Sequence, residues 1–234
     1  MKPGILLLLL VISASVIAQE TKNDDFIPQM TNGLGISFQT FNGINDRISK
    51  LSQYRKLDNY AATIELGMLT EHKQFVSDMN VMLGSSFSGH SHGGSVIRYF
   101  GVNIGWGYDL LKEKNKMLYP LVGLSLQGYQ ARFYQDNSSV PFDNVVESPP
   151  TQNDLHSLDF TTLFFAYRLG LGFSVFSSRH PKFSVGLQGI YTGSFNSQTW
   201  KNNQGQSLLN APEDRLNQYH ISLLFGRQIH LMNY

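Results

Sequence analysis

Cysteine is absent from the chain, which excludes disulfide staples, thiolate metal centres and the lipid-bearing cysteine that anchors a lipoprotein after its export signal. Charge is scarce as well. Asp, Glu, Lys and Arg make up 15% of the 234 residues, against about a quarter in an average soluble domain. Neither sign is in excess, with 18 basic and 17 acidic residues, so nothing supports the clustered basic surface of a nucleic-acid binder. Beyond residue 18 no apolar run approaches the roughly 20 residues of a membrane-spanning helix. A chain of this kind crosses a membrane only with strands, the other way of pairing every backbone group in lipid.

What is present begins at the N-terminus. Lys2 supplies a positive charge, Ile5 through Ile12 an apolar core, and Val16-Ile17-Ala18 a cleavage site, which together predict a secretory signal peptide over 1–18. The competing reading is an uncleaved anchor, but the apolar stretch is short for a spanning helix and Ser13 and Ser15 interrupt it. Without residues 1–18 the 18 basic residues lose only Lys2, leaving 17 against 17 acidic, and the mature chain is neutral. Residues 19–32 then read as a short N-terminal segment and 33–234 as one folded domain.

From Gly33 onward, segments of about ten residues alternate apolar with small or polar side chains, the period-2 signature of strands. In the clearest, Phe100, Val102, Ile104, Trp106, Tyr108 and Leu110 occupy even positions, while Tyr99, Gly101, Asn103, Gly105, Gly107 and Asp109 occupy odd ones. The same test predicts strands near 33–42, 59–70, 75–88, 97–111, 117–133, 159–177, 182–196 and 216–232. Leu121 and Tyr129 break the alternation of the fifth, and the sixth is apolar on both sides in places.

Short polar links at 71–74, 112–116 and 178–181 alternate with longer ones at 43–58, 89–96, 134–158 and 197–215. Membrane barrels of the outer-membrane kind sort their loops this way, with tight turns on one side and long loops on the other. In the first long link Ile44, Ile48, Leu51 and Leu57 recur near helical spacing, predicting a short helix over the barrel mouth with Asn45 or Asp46 at its start. The third and fourth long links carry the loop signals Asp136-Asn137-Ser138-Ser139, Pro149-Pro150, Asn202-Asn203 and Ala211-Pro212.

Alternation alone does not say which face is buried. Aromatic residues on the oily face near strand ends, Phe75, Phe87, Phe100, Trp106, Tyr108, Phe183, Phe195 and Tyr219, suit girdles at a water–lipid boundary. The opposite face carries Gln39, Glu65, Asp78, Asn80, Asn103, Asp109, Gln127, Arg168 and Gln188, a set that a compact apolar core would not accept together. The expectation is an all-β, eight-stranded antiparallel up-and-down transmembrane barrel. Its interior is only wide enough for packed side chains. Glu65 and Arg168, mid-way along the second and sixth strands, fall on opposite walls and are expected to share one structural ion-paired network.

The stretches Phe41-Asn42-Gly43-Ile44-Asn45, Gly101-Val102-Asn103-Ile104-Gly105-Trp106-Gly107-Tyr108-Asp109-Leu110-Leu111 and Leu118-Tyr119-Pro120-Leu121-Val122-Gly123 resemble a group of small outer-membrane barrel proteins of the OmpA/OmpX type. That resemblance implies an eight-stranded membrane barrel with no defined activity. It also implies insertion by the barrel-assembly machinery. One departure is that Tyr234 lies on the opposite parity from Phe225, Ile229 and Leu231, whereas assembly signals in such barrels end in an outward-facing aromatic residue.

Candidates for chemistry are few. In Ser88-Gly89-His90-Ser91-His92-Gly93-Gly94 two histidines are separated by one residue, as in some metal sites, but no adjacent carboxylate or cysteine completes a ligand set. A polar loop accounts for the stretch better. Ser91 or Ser95 meeting His90, His92 or His156 at the mouth would make a serine–histidine hydrolase, without any elbow motif to support it. Arg47, Lys50, Arg55 and Lys56 sit where the outer leaflet would begin and suit lipopolysaccharide phosphates, against the plainer reading of a solvated helix face. The resulting expectation is a monomeric, non-enzymatic barrel without cofactor, metal or nucleic-acid partner, surrounded by outer-membrane lipids, with long extracellular loops that bind or shield. Its rivals are an outer-membrane enzyme acting on lipid or peptide at the mouth, and a soluble exported barrel with Phe100, Val102, Ile104 and Trp106 turned inward around a ligand.

Overall fold

Side chains that alternate along these segments alternate in space between two walls of one closed sheet. The computed structural model describes residues 26–90, 93–113, 115–135, 143, 157–177 and 183–228. Eight long strands run β1 (Phe26–Gln39), β2 (Tyr60–His72), β3 (Phe75–His90), β4 (Gly93–Tyr108), β5 (Lys116–Tyr134), β6 (Leu158–Phe176), β7 (Phe183–Ser194) and β8 (Asn217–Gln228). Each pairs antiparallel with its sequence neighbour, and β8 closes on β1. The result is an up-and-down barrel without a free sheet edge along its body. A short helix, α1 (Asn42–Ile48), follows β1.

The outer wall is apolar. Leu34, Ile36 and Phe38 of β1, Ile64 and Leu66 of β2, and Leu169, Leu171 and Phe173 of β6 are exposed on it. Trp106 is 42% exposed and faces the same way, so the soluble reading, with Trp106 inside around a ligand, does not hold. Among the described residues no helix is long and apolar enough to cross a membrane; the strands present the oily surface instead.

Several boundaries differ from the sequence reading, each for a local reason. β1 begins at Phe26, seven residues before the predicted start, because polar Asn32 stands on the outward face and breaks the alternation there. The described part of the link expected over 89–96 is strand: β3 runs to His90 and β4 starts at Gly93, with Ser88 opposite Ser95 and Gly89 opposite Gly94. Small and polar residues that read as a loop form a hairpin instead. Between β2 and β3 only Lys73 and Gln74 turn the chain, both with positive φ (48° and 72°), as a two-residue type I′ connection requires. The predicted signal peptide over 1–18, the loop signals at 136–139 and 149–150, and Ile229, Leu231 and Tyr234 lie outside the described residues.

Inside, the side chains are layered. Toward the long links, Phe41, Tyr99, Tyr129, Phe133, Phe164 and Trp200 join the buried Ile44, Ile48 and Ile97 in one apolar cluster. A second cluster, with Leu69, Val76, Met117, Tyr119 and Leu121, lies toward the short turns. Leu121 and Tyr129, which appear in sequence as breaks in β5, are thus regular inward residues of a lumen with its own apolar layers. Four glycines lie directly opposite tyrosines across the ladder: Gly84 and Tyr99, Gly94 and Tyr134, Gly172 and Tyr119, Gly193 and Tyr167. Each ring covers the place where a glycine Cβ would stand, an arrangement that fills the gap a glycine leaves in a strand.

Candidate functional site

The lumen and its capped mouth hold the chain's buried polar chemistry. Arg168 on β6 reaches across to Asp78 on β3, Nη1 to Oδ2 at 3.4 Å, with both side chains buried. The Asp78 carboxylate also accepts from Asn80 Nδ2 at 3.1 and 3.2 Å. Asn80 Oδ1 accepts from Asn103 Nδ2 at 2.7 Å, and Asn103 Oδ1 from the Ser125 hydroxyl at 2.7 Å. A chain of polar groups therefore runs over four strands from β6 through β3 and β4 to β5. Hydrogen bonds that serve every member make such a buried network tenable.

Glu65 is buried as well, but its nearest partner is not Arg168. Its Oε1 lies 3.1 Å from His220 Nε2, outside hydrogen-bonding alignment. His220 Nε2 lies 3.0 Å from the Thr63 hydroxyl. The direct contacts differ from the expected Glu65–Arg168 pair: Arg168 meets Asp78, and Glu65 stands beside His220. The physical reason is that strand tilt and shear decide which positions on opposite walls meet, and spacing along one strand does not record them.

A second bridge crosses nearer the mouth. Gln218 on β8 donates through Nε2 to Gln39 Oε1 at 2.9 Å and accepts at Oε1 from Gln127 Nε2 at 3.2 Å, joining β8 and β1 to the opposite strand β5. Above it the Tyr129 ring stacks on Tyr99 at 4.9 Å and meets Phe41 edge-on at 5.0 Å, and Phe41 meets Trp200 at 5.5 Å. These rings are buried inside the barrel on the side of the long links.

The helix over the mouth forms where the spacing predicted it, with Ile44 and Ile48 buried, but Leu51 is exposed. Neither Asn45 nor Asp46 caps it. Asn45 lies inside the helix and holds the returning chain, accepting from the Leu57 amide at 2.9 Å and donating to the Leu57 carbonyl at 3.3 Å. The cap comes from Asp214 in the β7–β8 link. Its Oδ1 accepts from the Gly43 amide at 2.7 Å and its Oδ2 from the Ile44 amide at 3.0 Å and from Trp200 Nε1 at 2.8 Å. No nearby sequence signal marks Asp214 or Trp200 for this role.

The remaining predicted residues are placed as follows. Phe75, Phe87, Phe100, Trp106, Tyr108, Phe183, Phe195 and Tyr219 all stand exposed on the outer wall, Tyr219 beside Tyr191 at 5.1 Å between ring centres. Arg47, Lys50, Arg55 and Lys56 are exposed at the mouth, only Arg47 of them in the helix. Ser95 is buried and donates its hydroxyl to the Lys56 carbonyl at 2.7 Å, a structural engagement. Ser91, His92, His156 and the His90 side chain lie outside the described residues. Among the described residues no three His, Asp or Glu side chains converge as a metal site would need.

No family model matches the chain, and no curated protein matches it in sequence. Solved structures do resemble it in shape. The crystal structure of Ail, the attachment invasion locus protein of Yersinia pestis, superposes with a TM-score of 0.51 at 16% identity, over 88% of this chain and 99% of that one. The fold is that of the small outer-membrane barrels. A major outer membrane protein from Thermus thermophilus aligns over 86% of this chain and 99% of its own at 11% identity, with a TM-score of 0.48. OprG from Pseudomonas aeruginosa aligns over 88% and 95% at 11% identity, with a TM-score of 0.47.

Proposed function

We propose that the protein is a monomeric, non-enzymatic barrel of a Gram-negative outer membrane, exported by a cleaved signal peptide and inserted by the barrel-assembly machinery, whose work is done by its extracellular links. The observation that carries this reading is the Asp214-held helix over the mouth with the buried Phe41, Tyr129 and Trp200 rings beneath it, an arrangement that in this reading closes the lumen. A barrel filled in this way conducts nothing. Its polar interior serves to pair buried charge, and its mouth forms a firm platform for binding or shielding.

Lipopolysaccharide is the proposed surface partner. Arg55 and Lys56, with Ser49, Ser52 and Ser88, line a groove of about 470 Å³ beside the helix, and Arg47 and Lys50 stand exposed nearby. Guanidinium and ammonium groups suit its phosphates. The test has two arms. Purified protein in planar bilayers is expected to give no stable conductance steps, and defined single-channel openings would overturn the closed-lumen reading. Replacing Arg47, Lys50, Arg55 and Lys56 together by glutamine is expected to weaken binding to lipopolysaccharide vesicles about tenfold; unchanged binding removes these residues from the proposal.

A further inference from the structure

The outer wall carries one feature that neither the fold nor the closed lumen explains. A groove of about 570 Å³ crosses β1 to β4 on the lipid side, lined by Leu34, Ala62, Ile64, Leu83, Ser85 and Arg98 among others, and its surface is mainly apolar. The register shows how it arises. Ala62 stands opposite Ser85, and Ser85 opposite Arg98, so two small side chains form a floor. The adjacent row on the short-turn side is Leu34, Ile64, Leu83 and Phe100, each opposite the next. On the other side stand Phe38, Tyr60 and Phe87. All of these are exposed, and they form ridges around the furrow.

Arg98 at one end of this furrow is exposed and has no side-chain partner among the described residues. Its neighbour on the outer wall, Arg132, is committed to Asp159 through two hydrogen bonds of 2.7 and 3.1 Å. Tyr60 and Phe87, beside the Arg98 row, are aromatic residues of the kind that gather at the level of lipid headgroups. A cation facing an apolar wall needs a counter-charge, which a long side chain finds by extending to that level. We infer that the furrow is a lipid site, in which the Arg98 guanidinium pairs with the phosphate of an anionic lipid and an acyl chain lies over Ala62 and Ser85 between Ile64 and Leu83.

This inference rests on the membrane reading of the wall and involves none of the cations at the mouth. It is tested with the full mature chain in dodecyl maltoside by native mass spectrometry during titration with dioleoylphosphatidylglycerol, dioleoylphosphatidylcholine or inorganic phosphate. One phosphatidylglycerol is expected to be retained, about tenfold more tightly than phosphatidylcholine. Arg98→Gln removes that preference, and Ser85→Phe, which fills the furrow, weakens both lipids. Replacing Arg55 and Lys56 by glutamine leaves binding unchanged, which separates this site from the lipopolysaccharide reading. Circular dichroism and the gel-mobility shift on heating verify that each variant is folded. An unaltered lipid preference in folded Arg98→Gln overturns the site, as does inorganic phosphate competing as well as the lipid.

Discussion

Asp214 accepts the Gly43 amide at 2.7 Å across a sequence separation of 171 residues, tying the last long link to the first turn of α1. The same carboxylate takes the Ile44 amide and the Trp200 indole. Three donors, two of them buried and that of Gly43 half-buried, thus depend on one side chain, which holds the helix in place.

Removing that carboxylate strands the donors. Asp214→Ala is expected to lower stability by about 2–4 kcal/mol, since each buried donor left without a partner costs on the order of 1–3 kcal/mol and two of the three donors are buried. Asp214→Asn keeps one acceptor oxygen and is expected to lie between alanine and the parent. Urea unfolding in detergent, followed by tryptophan fluorescence, ranks the three; equal midpoints would deny the latch a structural role.

The lumen yields a sharper test because Arg168 contacts Asp78 and not Glu65, although both carboxylates are buried. Arg168→Leu leaves Asp78 buried without its cation, and breaking a buried pair in this way typically costs about 3–5 kcal/mol. Adding Asp78→Asn to Arg168→Leu is expected to restore much of the loss, whereas adding Glu65→Gln restores less. A double-mutant cycle on each pair measures the difference. Stronger coupling of Arg168 to Glu65 than to Asp78 would contradict the contacts described here.

The facing of Glu65, Arg168 and Asp78 was legible because a period of two assigns each strand residue to a wall. Which of them touch was not, because contact across a barrel depends on how far successive strands are displaced, and alternation carries no record of that shear. The same limit hid the hydrophobic layers. Leu121 and Tyr129 looked like breaks in the alternation until the lumen proved to hold apolar clusters on either side of its polar belt. Asp214 was invisible for another reason: capping signals are sought within a turn of the helix start, and this one arrives from a different strand connection.

Glycine placement gives a prediction about packing. The Tyr99 ring covers the position a Gly84 side chain would take, and that ring is held by its hydroxyl, which donates to Ser37 Oγ at 2.8 Å, and by stacking on Tyr129. Gly84→Ala therefore forces a fixed ring to move, at about 1–3 kcal/mol. At Gly189 nothing lies within 4 Å of the place a methyl group would take, and Gly189→Ala is expected to change stability by less than about 0.5 kcal/mol. Thermal unfolding of the two variants side by side separates them, and equal losses would remove the ring as the cause.

The two tryptophans report the two environments that define the molecule. Trp106 stands on the outer wall, 42% exposed, and Trp200 is fully buried under the mouth. In vesicles of lipids with brominated acyl chains, Trp200→Phe, which retains only Trp106, is expected to lose most of its emission, because bromine on the chains meets the indole directly. Trp106→Phe retains only Trp200, which is shielded by the wall and by its bond to Asp214, and is expected to be quenched little. Aqueous acrylamide serves as the complementary probe and is expected to reach neither indole efficiently in the membrane-inserted protein. If brominated chains spare Trp106, the apolar wall does not face hydrocarbon, and both the closed-barrel function and the Arg98 lipid site lose their basis. If they quench Trp200 as strongly as Trp106, the mouth is open and the Asp214 latch is not holding.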